Sequence, residues 1–236
     1  MDTFLNDHSW IDIFGERLFL QMPYQMAIEV NKSETPSFSY LMLFKDRNRI
    51  DLTLFPFDKT ANEFERDSLT IILLDKDHLF SNVPAPGDLD YLIERPTEKM
   101  FADCCNEFWW VCTYVAKGLW RQEIFYAKEM LENPVRKMFL KVIEWHIGVE
   151  TNFSVSSGKN GKNMQANLSP ELYNKILSTY PNADPEHIWN SLFIMCDLFR
   201  DLAIKISTNL CFEYNLEEDH NVKEYLEWVC ALTKEV

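Results

Sequence analysis

Alternating apolar and polar positions predict a β-hairpin over residues 37–57, where the chain reads SFSYLMLFKDRNRIDLTLFPF. Two runs rich in Phe, Tyr, Leu and Ile flank a polar tetrad at 45–48, an arrangement that is typical of a hairpin turn. In the second run the apolar residues share one face of the strand: Ile50, Leu52 and Leu54. Asp51 faces the other way, together with Thr53. A carboxylate in mid-strand has low strand propensity and needs a reason to be there.

Asp51 allows two interpretations. If its face of the strand is wet, the carboxylate is simply solvated, and the alternation taken alone favours this reading. Alternatively, Asp51 points into a cleft, where it acts as a metal ligand or a general base. Residues further along the chain favour the second interpretation.

The rest of the first ninety residues alternates strand and helix, which is an α/β or α+β pattern, and of these two we predict the α+β fold class. Four further elements are expected: a short helix capped by Asn6 or Asp7 and ending at Gly15, a strand over 17–22, a helix from Asp58 through Phe64, and a buried strand over 68–74. A mixed sheet of this type needs central strands, and no long apolar strand precedes Trp10. We therefore expect the first domain to be incomplete.

Three prolines and one glycine within residues 82–96 mark a domain boundary, so we divide the chain into domains 1–95 and 96–236. The pattern beyond the boundary is helical and predicts a bundle of five or six helices. We expect Thr97 to cap a long helix, and Asn133-Pro134 to open a helix that runs through Ile147. Ser169-Pro170 and Asp184-Pro185 should each open a further helix, and a last helix is expected over residues 222–233.

The net charge and the cysteine content of the chain limit the classes of binding partner and the compartment that we expect. The formal charge of −14 and the pI near 4.8 argue against binding to nucleic acid or to an anionic membrane surface. The six cysteines form no C-x-x-C pair and no regular framework, which predicts reduced, mostly buried thiols in a cytoplasmic protein. Neither the charge nor the cysteine spacing indicates the oligomeric state of the protein.

One face of the long helix carries Glu107, Trp110, Tyr114 and Lys117 at spacings of three and four residues. These side chains either pack at a domain interface or cradle a cationic, hydroxyl-rich ligand through hydrogen bonds and ring contacts. In contrast, Trp109, Trp120 and Trp145 are most simply core residues.

A Gly/Lys-rich loop, SSGKNGKN, occupies residues 156–163. Its lysines, Lys159 and Lys162, are either solvated or available to offset the charge of a phosphate. The loop lacks the G-x-x-x-x-G-K-[ST] pattern of a P-loop, so the motif by itself does not indicate phosphate binding.

Four stretches together resemble the aminoglycoside 6-adenylyltransferase (streptomycin adenylyltransferase) family, and the resemblance covers nearly the whole chain. They are IDLTLFP at 50–56, LLDKD at 73–77, RPTEKMFADCCNEFWWVCTYVAKGLWRQEI at 95–124, and SSGKNGKN at 156–163. The resemblance implies a nucleotidyltransferase-type domain followed by a helical substrate-binding domain. It also implies transfer of AMP from ATP to a hydroxyl of streptomycin, with Mg²⁺ ions held by carboxylates.

In the superfamily that the chain resembles, a Gly-Ser turn and an Asp-x-Asp strand supply paired metal ligands, and a third carboxylate serves as ligand or general base. Asp51 matches the third position. No Gly-Ser turn or Asp-x-Asp strand precedes it, and Asp88-Leu89-Asp90 lies in the linker, so we do not assign it this role. We therefore expect little or no transferase activity from this chain.

The resemblance implies that Asp51 is the catalytic residue and metal ligand. The spacing of Glu107, Trp110, Tyr114 and Lys117 leads us to expect that they line the drug or nucleotide cleft as substrate-binding residues. Lys159 and Lys162 are the expected nucleotide-binding residues. The expected partners are an aminoglycoside and ATP. The alternative is a degenerate protein that binds an aminoglycoside or nucleotide without catalysis.

Overall fold

The computed structural model describes residues 2–28, 37–57, 67–80 and 83–233. The chain divides into two compact units, Met1–Gly87 and Asp88–Val236, each with its own hydrophobic core. Within the described ranges, no helix is both long and apolar enough to cross a lipid bilayer.

A three-stranded antiparallel sheet forms the centre of the first unit, with β1 (Arg17–Gln21), β2 (Phe38–Phe44) and β3 (Arg49–Leu54) side by side in chain order. The predicted hairpin is thereby confirmed. Its turn closes through a hydrogen bond from the Phe44 amide to the Asn48 carbonyl at 2.9 Å. The first unit also contains helix α1 (Asp2–Asn6) and 3₁₀ turns at Ser9–Phe14 and Pro23–Gln25.

Alternation along β2 builds the core of the first unit. One face of the strand buries four side chains and packs them on Ile11 of the first 3₁₀ turn: Phe38, Tyr40, Met42 and Phe44. The apolar face of β3 joins the same cluster through Ile50, Leu52 and Leu54, as the sequence predicted. Because the side-chain period of a strand is two, Asp51 is directed away from this core.

The prediction of a buried strand over residues 68–74 is wrong. The segment forms a turn, in which the Asp67 carboxylate accepts hydrogen bonds from the Leu69 amide at 3.0 Å and the Thr70 hydroxyl at 3.1 Å. Local side-chain bonds of this kind compete with strand pairing. The apolar side chains that suggested a buried strand are exposed: Leu69, Ile71, Leu73 and Leu74. The helix expected from Asp58 to Phe64 lies outside the described residues.

The described part of the second unit contains six α-helices. They are α2 (Glu98–Trp120), α3 (Ile124–Met130), α4 (Arg136–Glu150), α5 (Pro170–Leu177), α6 (Pro185–Leu210) and α7 (Leu216–Thr233). The predicted bundle of five or six helices is therefore confirmed for this part of the chain. Its core is continuous from α2 to α7 and includes the stacked rings of Phe108 and Phe199, whose centroids are 3.7 Å apart.

Three predicted helix starts are confirmed by cap geometry. The Thr97 side chain accepts from the Met100 amide, the Ser169 side chain from the Leu172 amide, and the Asp184 side chain from the amides of Glu186 and His187. Each of these oxygens satisfies amides that have no partner inside the helix.

The helix start predicted at Asn133-Pro134 is wrong, because Pro134 lies inside a π-helical turn, Leu131–Val135, that joins α3 to α4. Proline lacks the backbone N–H, and the wider turn accommodates its ring without ending the helix. The Asn133 side chain donates back to Glu129 Oε1 at 2.6 Å and does not cap a helix. The last helix also begins earlier than predicted, since Asn215 Oδ1 accepts from the Glu218 amide.

A buried charge network fixes α7 to the bundle. The Asp219 carboxylate is fully buried and is held by the guanidinium of Arg200, with Nε donating at 2.6 Å. The Tyr214 hydroxyl also donates to Asp219, at 2.8 Å, and accepts from the indole of Trp109 at 3.1 Å. Burial, followed by the negative charge of Asp219, raises the pKa of Tyr214, which therefore stays protonated as a donor.

Candidate functional site

Asp51 lies on the outer face of β3, opposite Leu41 of β2. Both of its carboxylate oxygens accept hydrogen bonds from Arg49, from Nε and from Nη2, each at 2.7 Å. The Asp51 side chain is about half exposed, at 47%. This contact raises the pKa of Arg49, because the charged guanidinium gains hydrogen bonds and attraction from the carboxylate.

The four residues singled out on the long helix lie on α2 as the spacing predicted, and three of them form a ladder. The indole N–H of Trp110 donates to the Tyr114 hydroxyl at 2.7 Å, with the two rings edge to face. The Lys117 ammonium lies 4.8 Å from the centre of the Tyr114 ring and 5.9 Å from that of Tyr126 on α3. We call Trp110, Tyr114, Lys117 and Tyr126 the aromatic ladder.

Close contact between α2 and α3 places Tyr126 in the aromatic ladder. Gly118 makes the approach possible, because a Cβ at this position would lie 3.1 Å from the Cα of Ala127 and 2.9 Å from the Tyr126 ring. Trp110 is 59% exposed, so the ladder presents aromatic surface and one cation to solvent. Such a surface can stack on a sugar or a base and can hydrogen-bond to hydroxyl groups.

Glu107 lies one turn before Trp110 and lines a different surface. With residues of α4 it borders a cleft of about 540 Å³, which we call the α2–α4 cleft. Its polar and aromatic lining is Asp103, Asn106, Glu107, Lys141 and Trp145. The structure therefore separates the predicted drug-binding face into two adjacent parts, the cleft beside Glu107 and the aromatic ladder.

Lys159 and Lys162 lie on the loop after α4, and both are exposed. Gly158 and Gly161 have φ angles of 70° and 77°, in the left-handed region that favours glycine, so the loop depends on its glycines. The turn closes through the Asn163 amide, which donates to the Ser157 carbonyl at 2.9 Å. The structure thus presents two ammonium groups on a tightly turned loop of the second unit.

Four polar or aromatic residues that line the α2–α4 cleft were absent from the predicted site: Asp103, Asn106, Lys141 and Trp145. Asp103 is one turn from Glu107, so helical spacing alone could have added it. Lys141 and Trp145 come from α4, and only the packing of α4 on α2 brings them to the same cleft. The core prediction holds for Trp109 and Trp145 but is wrong for Trp120, which is 47% exposed at the end of α2.

Carboxylates and histidines do not gather into a metal site in the described ranges. No group of three or more His, Cys, Asp or Glu side chains there could enclose an ion. Asp51, the predicted metal ligand, has Arg49 as its partner. The described residues by themselves therefore do not fit a divalent-metal centre.

A family model and curated relatives of this chain point to the same protein family. A family model described as streptomycin adenylyltransferase matches residues 1–229. The aminoglycoside 6-adenylyltransferase of Campylobacter jejuni is 42% identical over 226 residues, covering 96% of this chain and 77% of that protein. The protein of the same name from Bacillus subtilis (strain 168) is 38% identical over 236 residues, covering 99% and 82%.

A solved structure supports the same assignment. The crystal structure of an aminoglycoside 6-adenyltransferase from Bacillus subtilis superimposes with a TM-score of 0.55 at 34% sequence identity, over 97% of this chain and 84% of that one. Both the predicted α+β fold class and the resemblance noted from the sequence are confirmed. The chain belongs to the streptomycin adenylyltransferase family.

Proposed function

We propose that this protein transfers AMP from ATP to a hydroxyl group of an aminoglycoside, with streptomycin as the drug, and so confers resistance to it. The observation that carries the proposal is the family match, which extends over residues 1–229. Relatives that are 37–42% identical bear the name aminoglycoside 6-adenylyltransferase. An adenylyltransferase uses ATP as its co-substrate, and we assign the reaction to the cytoplasm, where ATP is available.

Asp51 has the chemistry of the general base in this proposal. The drug hydroxyl attacks the α-phosphorus of ATP, a new P–O bond forms, and the bond to pyrophosphate breaks. The hydroxyl proton passes to the Asp51 carboxylate, which must first release Arg49. Exchange is feasible because the pair is partly exposed, so that water competes for both charged groups.

Glu107, Trp110, Tyr114 and Lys117 are the proposed drug-binding residues. The Glu107 carboxylate attracts a cationic drug, and the aromatic ladder stacks on its rings and bonds its hydroxyls. The negative charge of the whole chain favours the approach of such a polycation. Lys159 and Lys162 are the proposed contacts to the phosphates of ATP, for which their exposed ammonium groups are suited.

Mg²⁺ is the ion that we propose for the reaction, where it would neutralise phosphate charge when bound. Asp51 is the one proposed ligand among the described residues. The described residues do not form a metal centre by themselves.

The pairing of Asp51 with Arg49 favours a second candidate function, in which the protein binds an aminoglycoside or nucleotide and transfers nothing. In that case the carboxylate serves only to hold the guanidinium on the sheet surface. The low activity expected from the sequence stays a prediction that suits either candidate.

An assay that follows both binding and transfer separates the two functions. The full chain is incubated with α-labelled ATP, Mg²⁺ and streptomycin, and adenylyl-streptomycin is identified by its label and mass, while calorimetry measures streptomycin binding. We expect a labelled drug that requires both substrates and forms slowly, in keeping with the low activity expected from the sequence. Binding of streptomycin without labelled product would overturn transfer in favour of the second candidate.

A further inference from the structure

A cleft of about 800 Å³ lies within the helical unit, between the start of α6 and the end of α7. Side chains of α6 between Pro185 and Phe193 line it together with Cys230 of α7, and we call it the α6–α7 cleft. Pockets of this size hold small organic molecules. The residues given roles in the proposed reaction do not line it, so AMP transfer leaves this cleft without an assigned ligand.

The indole of Trp189 supplies an unused donor in the α6–α7 cleft. Trp189 lines the cleft and is 5% exposed, and its Nε1–H has no acceptor in the described part of the chain. Buried N–H donors are nearly always paired, so this one points to an acceptor that the described chain does not supply. The Trp189 ring stacks on the partly exposed ring of Phe193, with centroids 5.8 Å apart and planes inclined by 19°. The cleft therefore suits a ligand with a flat aromatic face and an acceptor atom on its edge.

Asn190 gives the cleft a side chain that both donates and accepts hydrogen bonds. The residue lines the cleft, is exposed, and precedes Phe193 by three positions, which places both on the same side of α6. A carboxamide carries an NH₂ donor beside a carbonyl acceptor, and this arrangement matches an adjacent acceptor and donor on the edge of a purine. A flat ligand that stacks on the Phe193 ring can therefore present its edge to Asn190.

The charges at the start of α6 disfavour an anionic ligand. The amides of Glu186 and His187 donate to the Asp184 carboxylate, at 2.9 Å and 3.1 Å, so they are not available to bind a phosphate. Glu186 is also exposed and lines the cleft. A phosphate in the cleft would be repelled by the carboxylates of Asp184 and Glu186. The cleft therefore fits a neutral aromatic molecule better than a nucleotide.

We propose that the α6–α7 cleft binds a free purine-type base, which is a flat heteroaromatic ring without phosphate that carries an acceptor beside a donor on one edge. The ring stacks on Phe193, the Asn190 carboxamide pairs with that edge, and the Trp189 N–H donates to a further ring nitrogen. This site goes beyond the proposed function and does not depend on it, because the side chains that form it have no role in AMP transfer.

NMR of the indole N–H signals of the full chain tests this site, with the Trp189 signal assigned from the W189F variant. Adenine, indole and AMP are titrated in turn. Indole has fused rings of the same size as adenine but no acceptor nitrogen, and AMP carries the same base with a phosphate. We expect adenine to move the Trp189 signal at concentrations at which indole and AMP leave it in place. No shift with adenine, or a shift of equal size with indole or AMP, would overturn the proposal.

The same signal gives the dissociation constant of adenine for the parent, N190A and N221A. Both variants replace an exposed helical asparagine by alanine, a good helix former, but Asn221 lies on α7 outside the lining of the cleft. We expect N190A to bind adenine about two- to tenfold more weakly, because it removes the hydrogen bonds to the ring edge, and N221A to bind it as the parent does. Equal affinity of the parent and N190A would contradict the assignment of Asn190 to the base.

Discussion

In the proposed reaction the chemistry of Asp51 depends on Arg49, which is its ion-pair partner in the described part of the chain. Arg49 donates to both carboxylate oxygens, so a substrate hydroxyl or a metal ion must compete with the guanidinium for them. Half exposure keeps the pair exchangeable, since water competes for both groups. The activity of this site should therefore respond to Arg49 as well as to Asp51.

We expect R49Q to raise the rate of AMP transfer to streptomycin about two- to fivefold, because it frees the carboxylate at the cost of a weak surface pair. The rate is measured by initial-velocity assays at saturating ATP. R47Q serves as the control, since Arg47 lies in the adjacent turn and is not a partner of Asp51. An unchanged rate in R49Q would show that the pair does not limit the reaction.

His146 makes the bundle sensitive to acid. Burial lowers its pKa below the ordinary value of 6.5, Lys205 acts in the same direction, and Glu150 opposes them. The unfolded chain therefore binds a proton at a pH where the folded chain does not, and the free energy of unfolding decreases as the pH falls below 6.5. Above this pH the effect is absent.

We expect H146Q, which cannot titrate, to lose less stability than the parent between pH 7.5 and pH 5. Urea unfolding of both proteins at the two pH values measures this difference. H220Q, which replaces an exposed histidine of α7, should behave as the parent does. Parallel losses in parent and H146Q would mean that other groups cause the acid sensitivity.

The orientation of Asp51 and its pairing with Arg49 could be predicted at this scale, but the full lining of the α2–α4 cleft could not. Alternation along β3 placed it opposite the apolar face, as the structure shows. The spacing of two from Arg49 puts both side chains on the same face, so this partner could have been found from the sequence. Lys141 and Trp145 could not, because their contact with α2 depends on helix packing.

At the scale of elements, the caps at Thr97, Ser169 and Asp184 were reliable signals, whereas the apolar run at 68–74 and the Asn133-Pro134 dipeptide were not. Thr97 and Asp184 act through bonds to their immediate neighbours, which the local sequence specifies. The run at 68–74 needed a partner strand, and pairing partners are distant in sequence. Pro134 could not be assigned from its own dipeptide, because whether a proline starts a helix or sits in a π turn depends on the residues before it.

The cap of α2 offers a test of local stabilisation. We expect T97A to lower the free energy of unfolding by about 1 kcal/mol, because the Met100 amide loses its acceptor. T97S keeps the oxygen and should retain most of this stability. Urea unfolding monitored by far-UV circular dichroism makes the measurement, and equal losses in T97A and T97S would mean that packing of the Thr97 methyl group matters more than the hydrogen bond.

The hydrogen bonds of Asp219 should contribute a large part of the stability with which α7 packs on the bundle. We expect D219A to destabilise the protein by about 3–5 kcal/mol, since it leaves the Arg200 guanidinium and the Tyr214 hydroxyl without their buried acceptor. D197A removes an exposed partner of the same arginine and should cost less than about 1 kcal/mol. A loss of similar size in both variants, measured by urea unfolding, would argue against this assignment of the buried pair.

At the scale of the whole molecule, the two units have separate tasks in the proposed reaction. The first unit provides Asp51, and the second provides the α2–α4 cleft, the aromatic ladder and the lysine loop. Removing a general base should affect the chemical step, whereas removing a group that binds the substrate equally before and during the reaction should affect KM. The kinetic parameters of AMP transfer therefore report on each unit separately.

Steady-state kinetics of AMP transfer to streptomycin by the parent, D51N and E107Q tests the central claim most directly. We expect D51N to lower kcat by at least about a hundredfold with little change in KM for streptomycin, and E107Q to raise KM with little change in kcat. D46N, which changes a carboxylate in the hairpin turn, is the control. If D51N transfers AMP with the kcat of the parent, Asp51 is not the base and the proposed mechanism is wrong.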